Sequence, residues 1–193
     1  MYLITPTLYN AWNYFMDSEQ PKEEFLDFLN KKPFEPTEAI LKGINFEDAV
    51  HELDLIGTTS KVEGEELECA KDIAETIKGG FWQHAVSMQY KDYIFYGKCD
   101  VIKGKTIHDI KRVSTYEIGK YQDSIQHLIY MICTDIPNFE YDICDGKNVY
   151  KESYTKERDT FDKVLSMTNS MINWLKVNPE FWEAFDKNWK SKY

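Results

Sequence analysis

Tyr93-Ile94-Phe95-Tyr96-Gly97-Lys98-Cys99-Asp100-Val101-Ile102, then Gly104, then Lys105-Thr106-Ile107-His108-Asp109-Ile110-Lys111-Arg112-Val113: the reading of this stretch decides the fold. Both runs are rich in aromatic and β-branched residues, and the glycine-led pair Gly104-Lys105 suits a two-residue type II′ turn. In such a hairpin residues pair when their numbers sum to 209, so Asp100 faces Asp109. Strand alternation then puts Lys98, Asp100 and Ile102 on one face with Ile107, Asp109 and Lys111, and turns Val101, His108 and Ile110 to the other. A three-residue turn would instead pair Asp100 with His108 and send Asp109 to the opposite face.

Opposed carboxylates about 5 Å apart repel one another, and the arrangement is best explained by a positive charge between them. A divalent cation supplies one, and Mg2+ favours hard oxygen ligands while retaining water. Lys111, two residues after Asp109 and on its face, is placed to orient or deprotonate an attacking water and to stabilise phosphate charge. The competing reading is a solvated hairpin face on which Asp and Lys alternate for solubility.

Outward from the hairpin, Phe81 to Tyr90 reads as a third strand joined across Lys91-Asp92, completing an antiparallel meander. Upstream, the pattern predicts helices after Thr5-Pro6 (Leu8, Ala11, Trp12, Phe15), near Glu23 to Leu29, from the cap Thr37 to about Leu55, and from Glu65 to Ile77. Downstream, it predicts a helix from about Thr115 to Cys133 and strands Phe139 to Cys144 and Asn148 to Tyr154. Helices near Glu157 to Lys176 and Pro179 to Lys190 follow. The layout is α+β: a central mixed sheet flanked by helices in one domain, residues 1–193.

The 193 residues, 42% hydrophobic and 15% aromatic, suffice for one core and are short for two. No run approaches the roughly 20 apolar residues of a membrane span, and the N-terminus lacks a signal-peptide pattern, so a cytoplasmic protein is expected. Cys69, Cys99, Cys133 and Cys144 form no CxxC pair. The net charge of −10 argues against a generally nucleic-acid-binding surface. Between Gly97 and Lys120, however, Lys98, Lys103, Lys105, Lys111, Arg112 and Lys120 outweigh Asp100, Asp109 and Glu117, giving +3 there and −13 elsewhere.

Two helices offer supporting groups. In Gly43-Ile44-Asn45-Phe46-Glu47, Glu47 falls on the stripe of Ile40, Ile44 and His51, so a carboxylate faces apolar neighbours; a stripe boundary near solvent is the simpler alternative. His51, one turn on, is a candidate partner behind it. The helix after the hairpin carries Gln122, Gln126 and Tyr130 on one stripe, beside Tyr121, Ile125, Leu128 and Ile132. A glutamine and a phenol there suit phosphate contact or the holding of a carboxylate.

Taken in order, Gly43xxxGlu47, Gly97xxAsp100, Asp109-Ile110-Lys111 and Gln126xxxTyr130 resemble the successive motifs of PD-(D/E)xK nucleases, especially the RecB-like and lambda-exonuclease-like branches. The opening Ile4-Thr5-Pro6-Thr7-Leu8-Tyr9-Asn10-Ala11-Trp12 resembles the start of RecB-like domains, so the likeness runs from the N-terminus to about Tyr130. The resemblance implies a restriction-endonuclease-like core and an Mg2+ ion, with Mn2+ able to substitute, held by Glu47, Asp100, Asp109 and the Ile110 carbonyl. It implies that Lys111 serves the nucleophilic water. Gln126 and Tyr130, with Lys98, Arg112 and His51 nearby in the pattern, would contact DNA or support the site. RecB-like members often have histidine where this chain has Glu47, which moves the match towards the lambda-exonuclease side. The four cysteines of cluster-bearing relatives lie elsewhere: here Cys69 and Cys99 fall between motifs, and no iron–sulfur cluster is expected.

The resemblance therefore implies a DNA exonuclease or end-processing enzyme of recombination, repair or phage DNA metabolism, acting alone, as a homo-oligomer or with a recombination protein. An endonuclease with the same site competes with it, as does a non-catalytic DNA-binding or regulatory protein on a nuclease scaffold.

Overall fold

The computed structural model describes residues 1–191; Lys192 and Tyr193 lie outside the described residues. The hairpin forms in the expected register. Strands β3 (Tyr93–Lys103) and β4 (Thr106–Arg112) pair Val101 with His108, Ile102 with Ile107 and Lys103 with Thr106. Gly104 takes φ 59°, the left-handed conformation that the first turn position requires. Strand β2 (Phe81–Tyr90) pairs antiparallel with β3 and completes the meander.

Strands β5 (Asn138–Cys144) and β6 (Val149–Thr155) form a second hairpin, and β5 joins the sheet parallel to β4. A short N-terminal strand, β1 (Tyr2–Ile4), lies parallel to the start of β3. The result is a mixed six-stranded sheet with the path β1-β3-β4-β5-β6, β2 lying along the other edge of β3. The sequence reading missed β1, because three residues are too few to show a period of two.

Among the described residues seven helices flank the sheet: α1 (Pro6–Asp17), α2 (Lys22–Leu29), α3 (Glu38–Ile56), α4 (Gly64–Ile77), α5 (Ile125–Thr134), α6 (Thr160–Val177) and α7 (Pro179–Asn188). Thr5 caps α1 through Leu8 N–H and Thr37 caps α3 through Ile40 N–H, as their positions before apolar-periodic runs predict. One core cluster joins α1, α2, α5, α6 and α7 to one side of the sheet around Phe95, Ile107, Tyr141 and Phe185. A smaller one lies under α3 and α4, around Phe46, Ile73, Val101 and Ile110. No described helix is long and apolar enough to cross a membrane.

Two helical expectations need correction. The helix expected from Thr115 starts only at Ile125, with Ser124 as its cap. Glu152 on β6 is the reason: its buried carboxylate accepts the Tyr116 and Tyr154 hydroxyls (2.8 and 2.5 Å) and the backbone N–H groups of Gly119 and Tyr121 (3.0 and 3.2 Å). Residues 115–124 thus find partners across the chain instead of along a helix, and Gln122 drops out of the expected stripe. In α3, Ile40 and Ile44 are exposed and the buried face is Phe46, Ala49 and Val50. The first half of this helix has no neighbour to bury its apolar residues, so sequence periodicity named the wrong stripe.

Candidate active site

The hairpin ladder stops one pair short of the acids. Beyond Val101 and His108 the strands part, and Asp100 Oδ2 accepts the Ile110 backbone N–H at 2.9 Å in place of a ladder bond. Asp109 is buried on β4 beside Tyr141 of β5. One of its oxygens accepts Gln126 Nε2 from α5 at 2.7 Å, and the other meets Lys111 Nζ at 2.5 Å. Lys111 reaches back over its own strand, as same-face residues two apart can, and also lies 5.9 Å from the Tyr141 ring.

Gln126 and Tyr130, one helical turn apart, work as a unit. Gln126 Nε2 lies 3.4 Å from the Tyr130 hydroxyl, which donates to the Lys98 carbonyl oxygen at 3.0 Å. The Tyr130 ring lies against Gly97, where a Cβ would come within 2.1 Å of a ring carbon. The pattern GxxD three residues before Asp100 therefore has a steric cause: only glycine admits the tyrosine of QxxxY. Gly43 has no such constraint, since a Cβ there would meet nothing within 4 Å.

Glu47 comes from the buried half of α3. Its Oε1 accepts Gln83 Nε2 of β2 at 2.5 Å, a contact that sequence reasoning did not anticipate. Burial raises the carboxyl of Glu47, and the Gln83 hydrogen bond only partly offsets this, with Asp109's charge adding to the rise. Burial, then the charges of Asp109 and Glu47, hold Asp100 well above the ordinary carboxylate range. Asp109 is also raised by burial, against the opposing pull of Lys111. The Lys111 ammonium loses hydration on burial, yet Asp109 and Asp100 hold its pKa above the ordinary lysine value.

The three acids feel one another electrostatically, but their donor atoms do not all come within 4.8 Å. Among the described residues, that spacing is met by His108, Glu140 and Asp142, a buried group on the other face of β4 and β5 that could hold a metal ion. His108 Nδ1 lies 2.8 Å from Asp142 Oδ2 there, and Lys151 Nζ lies 2.8 Å from Glu140 and 3.5 Å from Asp142, so an ammonium already supplies positive charge.

The remaining candidates stand apart from the acids. Arg112 is engaged by Glu66 at 2.5 Å and by the Val113 carbonyl, with its guanidinium against Gly146, so it braces α4 to β4 and is not free for phosphate. Lys98 is exposed, and what it brings to the site is its backbone carbonyl. His51 packs at a tilt of 36° against Trp82 with ring centroids 4.3 Å apart, and the Trp82 indole donates to Asp54 at 2.7 Å. The basic strip is thus partly spent within the protein: Lys111 on Asp109, Arg112 on Glu66, and Lys103 on the Thr76 carbonyl at 2.7 Å.

No family model and no curated protein sequence matches the chain. Solved structures do. A candidate exonuclease from Eubacterium rectale superposes with a TM-score of 0.62 at 14% identity, covering 94% of this chain and 82% of that one. The alkaline exonuclease LHK-Exo from Laribacter hongkongensis superposes at 0.51 and 10% identity, covering 93% and 91%. The same enzyme in complex with dAMP gives 0.54 at 11% identity over equal shares. The chain has the fold of these exonucleases. This agrees with the PD-(D/E)xK resemblance that the four motifs carry.

Proposed function

We propose that this chain is a Mg2+-dependent DNA nuclease, an exonuclease or end-processing enzyme, acting as one unit over residues 1–193. The observation that carries the reading is the partly buried assembly of Asp109, Lys111, Gln126, Tyr130 and Gly97 on an exonuclease fold, with the charge of Asp109 reaching Asp100 and Glu47.

The donor chemistry fits the ion. Three carboxylates with pKa values raised by burial, two of them also repelled by Asp109, are hard oxygen ligands that gain from a shared cation. Glu47, Asp100, Asp109 and the Ile110 carbonyl would hold it. When bound, Mg2+ supplies Lewis-acid polarisation of the phosphodiester and lowers the pKa of water.

The protein's own groups do the rest. Gln126 donates to one Asp109 oxygen and fixes the carboxylate's plane, while Tyr130 ties α5 to the β3 backbone beside Asp100. Lys111 remains protonated, so its role is to orient the attacking water and neutralise charge growing on phosphate oxygens, as a fixed cation in a partly dry site does most effectively.

Incubation of linear and covalently closed circular DNA with the protein and Mg2+ or Mn2+ tests this. Mononucleotide release from linear DNA alone is expected, and cutting of the circle would make it an endonuclease. Retention of intact DNA by both wild type and Lys111→Ala would make it a binding protein.

A further inference from the structure

Among the described residues four non-glycines have positive φ, and three sit where chains turn: Lys31 after α2, Lys91 in the β2–β3 turn and Asp135 at the end of α5. Gln83, at φ 52°, stands inside strand β2. Glutamine has no special tolerance for that region, so something must hold it there.

Its position in the ladder is equally specific. Trp82 pairs with Val101 and His84 with Cys99, which leaves Gln83 opposite Asp100 at the one position the β2–β3 pairing skips. Both strands exchange faces at this point. In β2, Val86, Met88 and Tyr90 pack on the α5 side while Trp82 packs under α3 and α4. In β3, Phe95 and Cys99 belong to the α5 side and Val101 to the α3–α4 side, although strict alternation would keep all three together. Gln83 and Asp100 thus occupy the seam between the two cores, and from that seam the Gln83 amide reaches Glu47 at 2.5 Å.

We propose that Gln83 is the positioning residue of the site: its left-handed backbone turns β2 and β3 together so that Asp100 enters the seam, and its amide presents the Glu47 carboxylate from α3 to the shared cation. Strain in the strand is the cost of bringing a helix acid and a strand acid to one place. This rests on the metal-site reading above.

Gln83→Gly and Gln83→Asn test it, because both residues tolerate a positive φ while one lacks the amide and the other is a methylene too short to reach Glu47. Thermal denaturation of the metal-free proteins should give both a midpoint no lower than wild type, with Gln83→Ala lower. Mn2+ titration by calorimetry without DNA should show affinity weakened about 10- to 100-fold in both. In cleavage assays, the Mg2+ concentration for half-maximal rate should rise while KM for DNA stays put. Wild-type Mn2+ affinity in Gln83→Gly and Gln83→Asn would overturn the proposal and leave the site intact. Absence of Mn2+ binding by wild type itself would overturn the metal-site reading and the proposal with it. Mn2+ binding without cleavage by wild type would overturn only the nuclease reading, with the calorimetric difference still deciding the role of Gln83.

Discussion

Strand β4 carries two charged constellations back to back, built from similar residues yet resolved in different ways. Towards α5, Asp109 pairs with Lys111 and its charge reaches Asp100 and Glu47: three carboxylates, one ammonium, all three acids pushed upwards first by burial. On the opposite face, His108 meets Glu140 and Asp142, with Lys151 bridging the two acids and Ser153 donating to Glu140 at 3.1 Å. There burial would raise Glu140, but Lys151, His108 and Ser153 together outweigh it and hold the carboxyl below its ordinary value. The comparison teaches that buried carboxylates alone do not mark a site. The two differ in their balance: on one face two carboxylates share Lys151 and His108, and on the other three carboxylates face the single ammonium of Lys111.

The hardest blow to this comparison would come from Lys111→Ala and Glu140→Gln assayed side by side. The first should lower the cleavage rate by about 10²- to 10³-fold, the size of effect lost with one preorganised transition-state donor, and the second should leave the rate near wild type. Equal losses in gel-based nuclease assays would erase the distinction between the faces.

Asp142→Ala should cost about 3–5 kcal/mol of stability in urea denaturation, because at a fully buried position it takes away the 2.8 Å partner of His108, while Lys151 keeps Glu140. Per folded molecule, cleavage should persist. Gly97→Ala should be milder, about 1–3 kcal/mol, as its Cβ forces the Tyr130 ring away and with it the hydroxyl bond to Lys98. Activity should fall with it, which a fluorescence melt and a rate measurement would separate.

The smallest expected change has the opposite sign. Metal-free Asp100→Asn should be more stable than wild type by on the order of 1 kcal/mol at neutral pH, while inactive. Asp100's folded pKa is raised, so the folded state binds more protons than the unfolded one and its stability falls as pH rises above the ordinary aspartate range towards the raised value. The gain from the substitution should therefore be present at pH 7 and vanish as pH drops below about 4, the reference aspartate range. A gain that persists in acid would mean that relief of charge is not its cause.

Much of this was legible in the chain. Register in a tight hairpin is local, so a glycine at the right place and a period of two were enough to bring Asp100 and Asp109 to neighbouring strands with Lys111 on the face of Asp109. Gln126 and Tyr130 were legible as a pair because helical spacing is equally local. Three features were not: that Arg112 would be unavailable to phosphate, that residues 115–124 would be held by Glu152, and that β3 would exchange faces at Asp100. Each depends on a partner far away in sequence, namely Glu66 for Arg112, Glu152 for the loop, and Gln83 opposite Asp100.

By itself, then, the sequence determined the elements and the acids they carry, since backbone periodicity, caps and turns act over a few residues. The tertiary structure alone decided which of those charges are neutralised within the protein, because desolvation and Coulomb interaction depend on distance in space. The hairpin placed two aspartates on neighbouring strands; α5 brought Gln126 to one of them, and a left-handed glutamine opposite the other holds Glu47 of α3.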